Sequence, residues 1–112
     1  MVILPQDALI SKEKLTRYLL IPLPKDDKSK FLAQAGYTLQ NWQQLEQDLR
    51  TQVLTQPAKF VQVTRYGEKY VIRASLLGSA GVELSVLTIW MVVNGTAKFV
   101  TLVPDKGASD EK

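Results

Sequence analysis

A chain of 112 residues with 46% hydrophobic residues has the material for one ordinary core and not for two. It contains no Cys and no His, which excludes disulfides, thiolate-bound metals, Cys nucleophiles and any Ser–His dyad. A formal charge of +3, with a pI near 9.2, admits nucleic acid or an acidic partner without requiring either.

Val2-Ile3-Leu4 followed by Pro5 reads as a short edge strand or an extended arm. Ser11 is placed to cap a helix in which Leu15, Tyr18 and Leu19 fall on one face, with Glu13 in the first turn where the dipole favours negative charge. Pro22 and Pro24 end it. Asp26 or Asp27 caps a second helix, roughly Lys28 to Ala35, with Phe31, Leu32 and Ala35 inward and Gly36 at its C′ position. Thr38 caps a third, Leu39 to Leu54, whose apolar face is Leu39, Trp42, Leu45, Leu49 and Val53. Its opposite face carries Gln40, Gln43, Gln44 and Gln47.

After Pro57 the hydrophobic period changes from about 3.6 to 2. Lys59–Arg65 is strand-like, and Tyr66-Gly67-Glu68 is a turn. Lys69–Leu77 alternates, with Tyr70, Ile72, Ala74 and Leu76 on one side and Lys69, Val71, Arg73 and Ser75 on the other. Gly78–Gly81 is a hairpin loop. Val82–Val93 becomes apolar on both sides from Val86 onward, the pattern of a strand covered on two faces. Asn94-Gly95 asks for a type I′ turn, with positive φ at both residues. Thr96–Val103 returns as the last strand, Pro104 ends it, and residues 105–112 read as a flexible polar tail.

Helices first and strands afterwards predict an α+β fold. Two or three N-terminal helices lie on one face of a four-stranded antiparallel meander, within a single domain over residues 1–104. Trp42 and Phe31 are then expected to meet Tyr70, Ile72 and residues between Val86 and Val92, with Trp42 fully buried. The apolar stretches fall well short of the roughly 20 residues of a membrane-spanning helix, and the first residues lack the pattern of a signal peptide. Cytoplasmic residence, no membrane contact and no metal or other cofactor are the corresponding expectations.

Three groups of residues bear on function. Lys25, Lys28 and Lys30 form either a phosphate-binding cluster at a helix start or a solvated surface neutralised by Asp26 and Asp27. Arg65, Lys69 and Arg73, with Tyr66 beside them, form either a basic strip for a nucleic-acid backbone or the ordinary charged face of an exposed sheet. Thr88, Trp90 and Thr101, on the two most apolar strands, belong to the core or to a pocket wall between helices and sheet.

Leu15-x-x-Tyr18-Leu19-Leu20, Lys28-Ser29-Lys30-Phe31-Leu32, Gly36-Tyr37 and Trp42-x-x-Leu45 resemble the first half of a family of uncharacterised small bacterial proteins. Tyr66-Gly67-x-Lys69-Tyr70-x-Ile72, Thr88-Ile89-Trp90 and Val100-Thr101-Leu102-Val103-Pro104 resemble its second half, so that the likeness covers about residues 2 to 104. Members of that family often stand beside a small antitoxin or immunity partner, and their layout is similar to the barnase–colicin–RelE-type ribonuclease group, an analogy of fold. Ribonucleases of the RelE kind use Arg, Lys and Tyr where others use His.

By position, Lys28 matches the family's helix lysine. Tyr66, Lys69 and Tyr70 match its hairpin, and Thr88, Trp90 and Thr101 its last strands. The chain departs from the pattern at Leu87, where the family usually has Arg, and at Asp26 and Asp27, where a basic residue is usual. Both changes remove positive charge from where a scissile phosphate would need it.

The resemblance thus implies a toxin-like, metal-independent endoribonuclease, or a degenerate relative of one, from a toxin–antitoxin or polymorphic-toxin system. RNA and an antitoxin or immunity protein would be its partners. Lys28, Arg65, Tyr66, Lys69 and Arg73 are the catalytic candidates, the cations stabilising phosphorane charge and a Tyr or Lys moving the proton. The competing class is a non-catalytic protein-interaction module that binds through the outer sheet face or the glutamine face of the third helix. Convergence of Lys28 with the hairpin cations in one cleft discriminates between the two.

Overall fold

Pro57 divides the molecule as it divides the sequence. The computed structural model describes residues 2–25 and 27–105. Among these, helix α1 is Lys12–Lys14 continued by a π-helical turn over Leu15–Leu19, and α2 is Ser29–Ala33. Helix α3 opens as a 3₁₀ turn over Leu39–Asn41, is α-helical over Trp42–Asp48 and closes as a π-helical turn over Leu49–Val53. Strands β1 (Lys59–Thr64), β2 (Gly67–Leu77), β3 (Glu83–Val93) and β4 (Thr96–Pro104) come after it. They form one antiparallel sheet in sequential order, so the expected α+β architecture is the one adopted.

Local chemistry explains the boundaries. Thr38 and Asn41 satisfy each other's backbone at the start of α3 in a reciprocal capping box. Asp27 Oδ1 accepts from the Ser29 N–H at 3.0 Å and from its hydroxyl at 2.7 Å, which aligns the chain entering α2 and holds the Asp27 carboxyl below its ordinary value. Asp26, the alternative cap, lies outside the described residues. Asn94 and Gly95 have φ of 51° and 81°, the expected type I′ pair between β3 and β4.

The core lies between the helices and one face of the sheet. Leu15 and Leu19 of α1, Leu32 of α2 and Leu45, Leu49 and Val53 of α3 meet Ile72, Leu76, Val86, Trp90, Phe99 and Leu102 in one buried cluster. Trp90 is at its centre, fully buried and edge-to-face with Phe99 at 5.2 Å between centroids. Trp42 and Phe31, expected to fill this place, are corrected: both are only partly buried at the margin of the cluster. Lys12 Nζ lies 5.2 Å over the Trp42 ring, so this indole at the margin of the core also meets a side chain of α1. The last turn of α3, carrying Leu49 and Val53, makes the main helix–sheet contact, on β2.

Two further expectations change. The second half of β3 is apolar on both faces, yet only one face lies in the core. Leu87, Ile89, Met91 and Val93 are half-buried and stand outside the core cluster. Asp105, assigned to the tail, is buried; its N–H donates to Ser85 O at 2.9 Å, which carries the β4 pairing one residue past Pro104. Residues 106–112, the rest of that tail, lie outside the described residues.

The N-terminal arm touches both edges of the sheet. Val2 bridges Ala58 just before β1, and Leu9 bridges Lys98 on β4, accepting from Phe99 N–H at 2.8 Å. Arg50 of α3 fixes the arm, its guanidinium donating to Gln6 O and Ala8 O at 2.7 Å each while pairing with Glu46 at 3.0 Å.

One polar network sits inside the helical layer. The buried Tyr37 hydroxyl donates to Asp48 Oδ2 at 2.6 Å, and Gln44 donates to Asp48 Oδ1 at 2.9 Å. Burial and the neighbouring carboxylate raise the Tyr37 phenol above its ordinary 10.0. A raised folded-state value means that the unfolded chain releases this proton first. The contribution is therefore intact below about pH 10 and declines above it, by about 1.4 kcal/mol per pH unit. Denaturant titrations from pH 8 to 11 should show this slope, and Tyr37→Phe should be shallower by about that amount. Identical slopes would show that Tyr37 titrates normally.

Candidate functional site

The sheet has two unlike faces because its side chains alternate. The inner face carries the core. The outer face is set by register: Lys69 lies opposite Met91, Val71 opposite Ile89, Arg73 opposite Leu87, and on the other flank Lys98 lies opposite Met91, Thr101 opposite Ile89 and Val103 opposite Leu87. Lys59 of β1 joins it opposite Val71. An apolar stripe along β3 is thus bordered by lysines from β1 and β2 on one side and from β4 on the other.

Arg73 ends this cationic border. Its Nε lies 2.8 Å from Asp105 Oδ2, the guanidinium largely exposed and the carboxylate buried. Asp105 is held opposite Ser85, one step beyond Leu87 and away from Lys69, so the pair draws Arg73 away from the other cations. Among the described residues no carboxylate lies within salt-bridge distance of Lys59, Lys69 or Lys98.

The five proposed catalytic residues fall in separate places. Lys28 belongs to the helical layer, its Nζ donating to Tyr18 Oη at 3.2 Å and lying 5.1 Å over that ring. Arg65 and Tyr66 form the β1–β2 turn, stacked on each other at 5.9 Å, with the Tyr66 side chain 68% exposed. They border a shallow hollow with Asn94 and Gly95. Lys69 and Arg73 are on the outer face. Lys28 is therefore on the opposite side of the sheet from Lys69 and Arg73, and the five enclose no common cleft.

Thr88 and Trp90 are core residues. The indole Nε1 donates to Thr88 Oγ1 at 2.7 Å, and that hydroxyl donates to Ile72 O at 3.2 Å, so both polar groups are satisfied where no water reaches. Thr101 sits on the other face, half-buried opposite Ile89. The three do not share a wall.

Asp105, Lys98 and Lys59 escaped the sequence reading for identifiable reasons. Pro104 hid the continuation of β4. A bulge at Val100, where Ile89 pairs with Thr101 but Trp90 with Phe99, shifts the parity, so counting back from Leu102 puts Lys98 on the wrong face. A second irregularity between Phe60 and Gln62 does the same to Lys59.

The family model described as a domain of unknown function, DUF6883, matches residues 5–106. The chain belongs to that family. No curated protein and no solved structure matches the DUF6883 chain. Among its described residues no helix is long and apolar enough to cross a membrane.

Proposed function

We propose that this DUF6883 domain is a non-catalytic protein-interaction module that binds through the outer face of its sheet. The observation that carries this reading is the β3 stripe of Leu87, Ile89, Met91 and Val93, apolar, half-buried and outside the core cluster that the helices cover. Placement of the charged residues supports it. The ribonuclease reading needs several cations around one phosphate, whereas Lys28 and the sheet cations lie on opposite sides and Arg73 is neutralised by Asp105. Leu87, opposite Arg73, adds no charge at the position where the resemblance to the ribonuclease-like family implies an Arg.

The test uses the purified chain with single-stranded and structured RNA, in parallel with expression of the chain alone. The expected result is intact RNA and unchanged growth. RNA cleavage by the wild-type chain that disappears in Lys69→Ala or Arg73→Ala would overturn the reading and restore the nuclease.

A further inference from the structure

From the spacing of charge on the outer face we infer that its partner is an acidic amphipathic α-helix lying along β3. This rests on the interaction reading above and adds the partner's shape and chemistry. Lys69 and Lys98 stand on the strands flanking β3, both at the level of Met91. Two strand spacings separate them by about 10 Å, which is the diameter of a helix with its side chains, about 10–12 Å. Lys59 extends the same border on the β1 side.

The stripe from Leu87 to Val93 is about 20 Å long at the rise of a strand, the length of about 13 helical residues. A helix with one apolar ridge, laid on β3, would place residues from both borders of that ridge over the lysines. Carboxylates there would pair with ammonium groups that no described carboxylate engages.

Other occupants fit less well. Two copies stacked face to face would bring the bracketing lysines near one another, and Glu83, at the far end of β3, is the only exposed carboxylate on this face among the described residues. Single-stranded RNA would need stacking platforms. Tyr70, Trp90 and Phe99 all take the parity of the inner face, and Phe60 packs on Tyr70 there, leaving the outer strand positions aliphatic, polar or cationic.

The test is fluorescence anisotropy on the full chain. The probe is a lactam-bridged 14-residue helix with leucines on one face and glutamates along both borders, and the control carries lysines in place of the glutamates. The acidic helix should bind saturably, with affinity falling as salt rises, and the control should not. Lys69→Glu combined with Lys98→Glu should weaken binding about tenfold or more. These two positions lie on the solvent side, so the variant remains informative if Ile89→Glu fails to fold; a folded Ile89→Glu should abolish binding. No saturable binding of the acidic helix, equal binding of the control, or binding unchanged in the lysine variant would overturn the inference. A dimer in light scattering that Ile89→Glu disperses, or RNA binding preferred over the helix, would overturn it in favour of those occupants. If a folded Ile89→Glu loses a cellular protein that the wild type captures while the probe does not bind, the interaction reading stands and only the helix is wrong.

Discussion

Trp90→Ala is expected to lower the unfolding free energy by about 3–5 kcal/mol, the range for deleting a buried large aromatic side chain. Trp90 is fully buried, and its ring fills the space between Phe99 and the helices. Truncation removes apolar surface, leaves a cavity that the surrounding leucines cannot close, and frees the Thr88 hydroxyl from its donor while keeping it buried. Trp42→Ala is the internal control. Trp42 is only partly buried beneath Lys12, so its loss should be clearly smaller than that of Trp90. Urea melts of the two variants, read as midpoint shifts at constant m-value, decide the matter. An equal or larger effect at Trp42 would place the core on the wrong aromatic.

Gly78→Ala should be the other severe substitution, although it adds one methyl group. A Cβ at Gly78 would stand 2.1 Å from Ala35 O and 3.1 Å from Ala35 Cβ. The obstacle is backbone at the end of α2, which no rotamer change removes. The same contact is closed from the other side: Ala80 N–H donates to Ala35 O at 3.1 Å, and Gly36, at φ +95°, leaves room for Ser79 and Ala80. The β2–β3 loop and the C-terminal end of α2 therefore seat on each other through bare backbone. Gly78→Ala must separate them, with a loss of about 2–4 kcal/mol expected from overpacking plus the weakened hydrogen bond. Gly81→Ala, in the same loop but with open space around its Cα, isolates the contact, since its modest effect comes from positive φ alone. Thermal melts giving the two variants equal stability would show that α2 and the loop are not in contact.

Much of the fold was legible because local and global signals agree. The change of period at Pro57, the Thr38 cap and the Asn94-Gly95 turn each act within a few residues, and each is found where expected. The illegible part depends on geometry that sequence spacing does not carry. The π-helical turns at Leu15–Leu19 and Leu49–Val53 bond each carbonyl to an N–H five residues on, as in Leu20 to Leu15 at 3.0 Å and Leu54 to Leu49 at 2.9 Å. They rotate the next residues of the chain relative to a 3.6-residue wheel. Leu39, apolar by spacing, lies in the 3₁₀ turn and is exposed.

The site was less legible than the fold. Period-two alternation placed Lys69 and Arg73 on one face correctly, but the Val100 bulge concealed Lys98, and only the register reveals that Asp105 reaches Arg73. Reading β3 as apolar on both sides was sound as chemistry. Its outer side chains are half-buried and stand outside the core cluster, which makes the strip a candidate for binding.

The N-terminal arm has a consequence for self-association. Leu9 occupies the outer rim of β4, whereas β1 has only the kink at Val61 and the ammonium of Lys59 to discourage an incoming strand. Cutting the chain after Gln6 or weakening the Arg50 clamp would loosen Leu9 and leave hydrogen-bonding rims bare at both ends of one sheet. Such a molecule could add copies of itself rim to rim without closure, and in the intact chain the bridge from Leu9 to Lys98 stands in the way at the β4 rim.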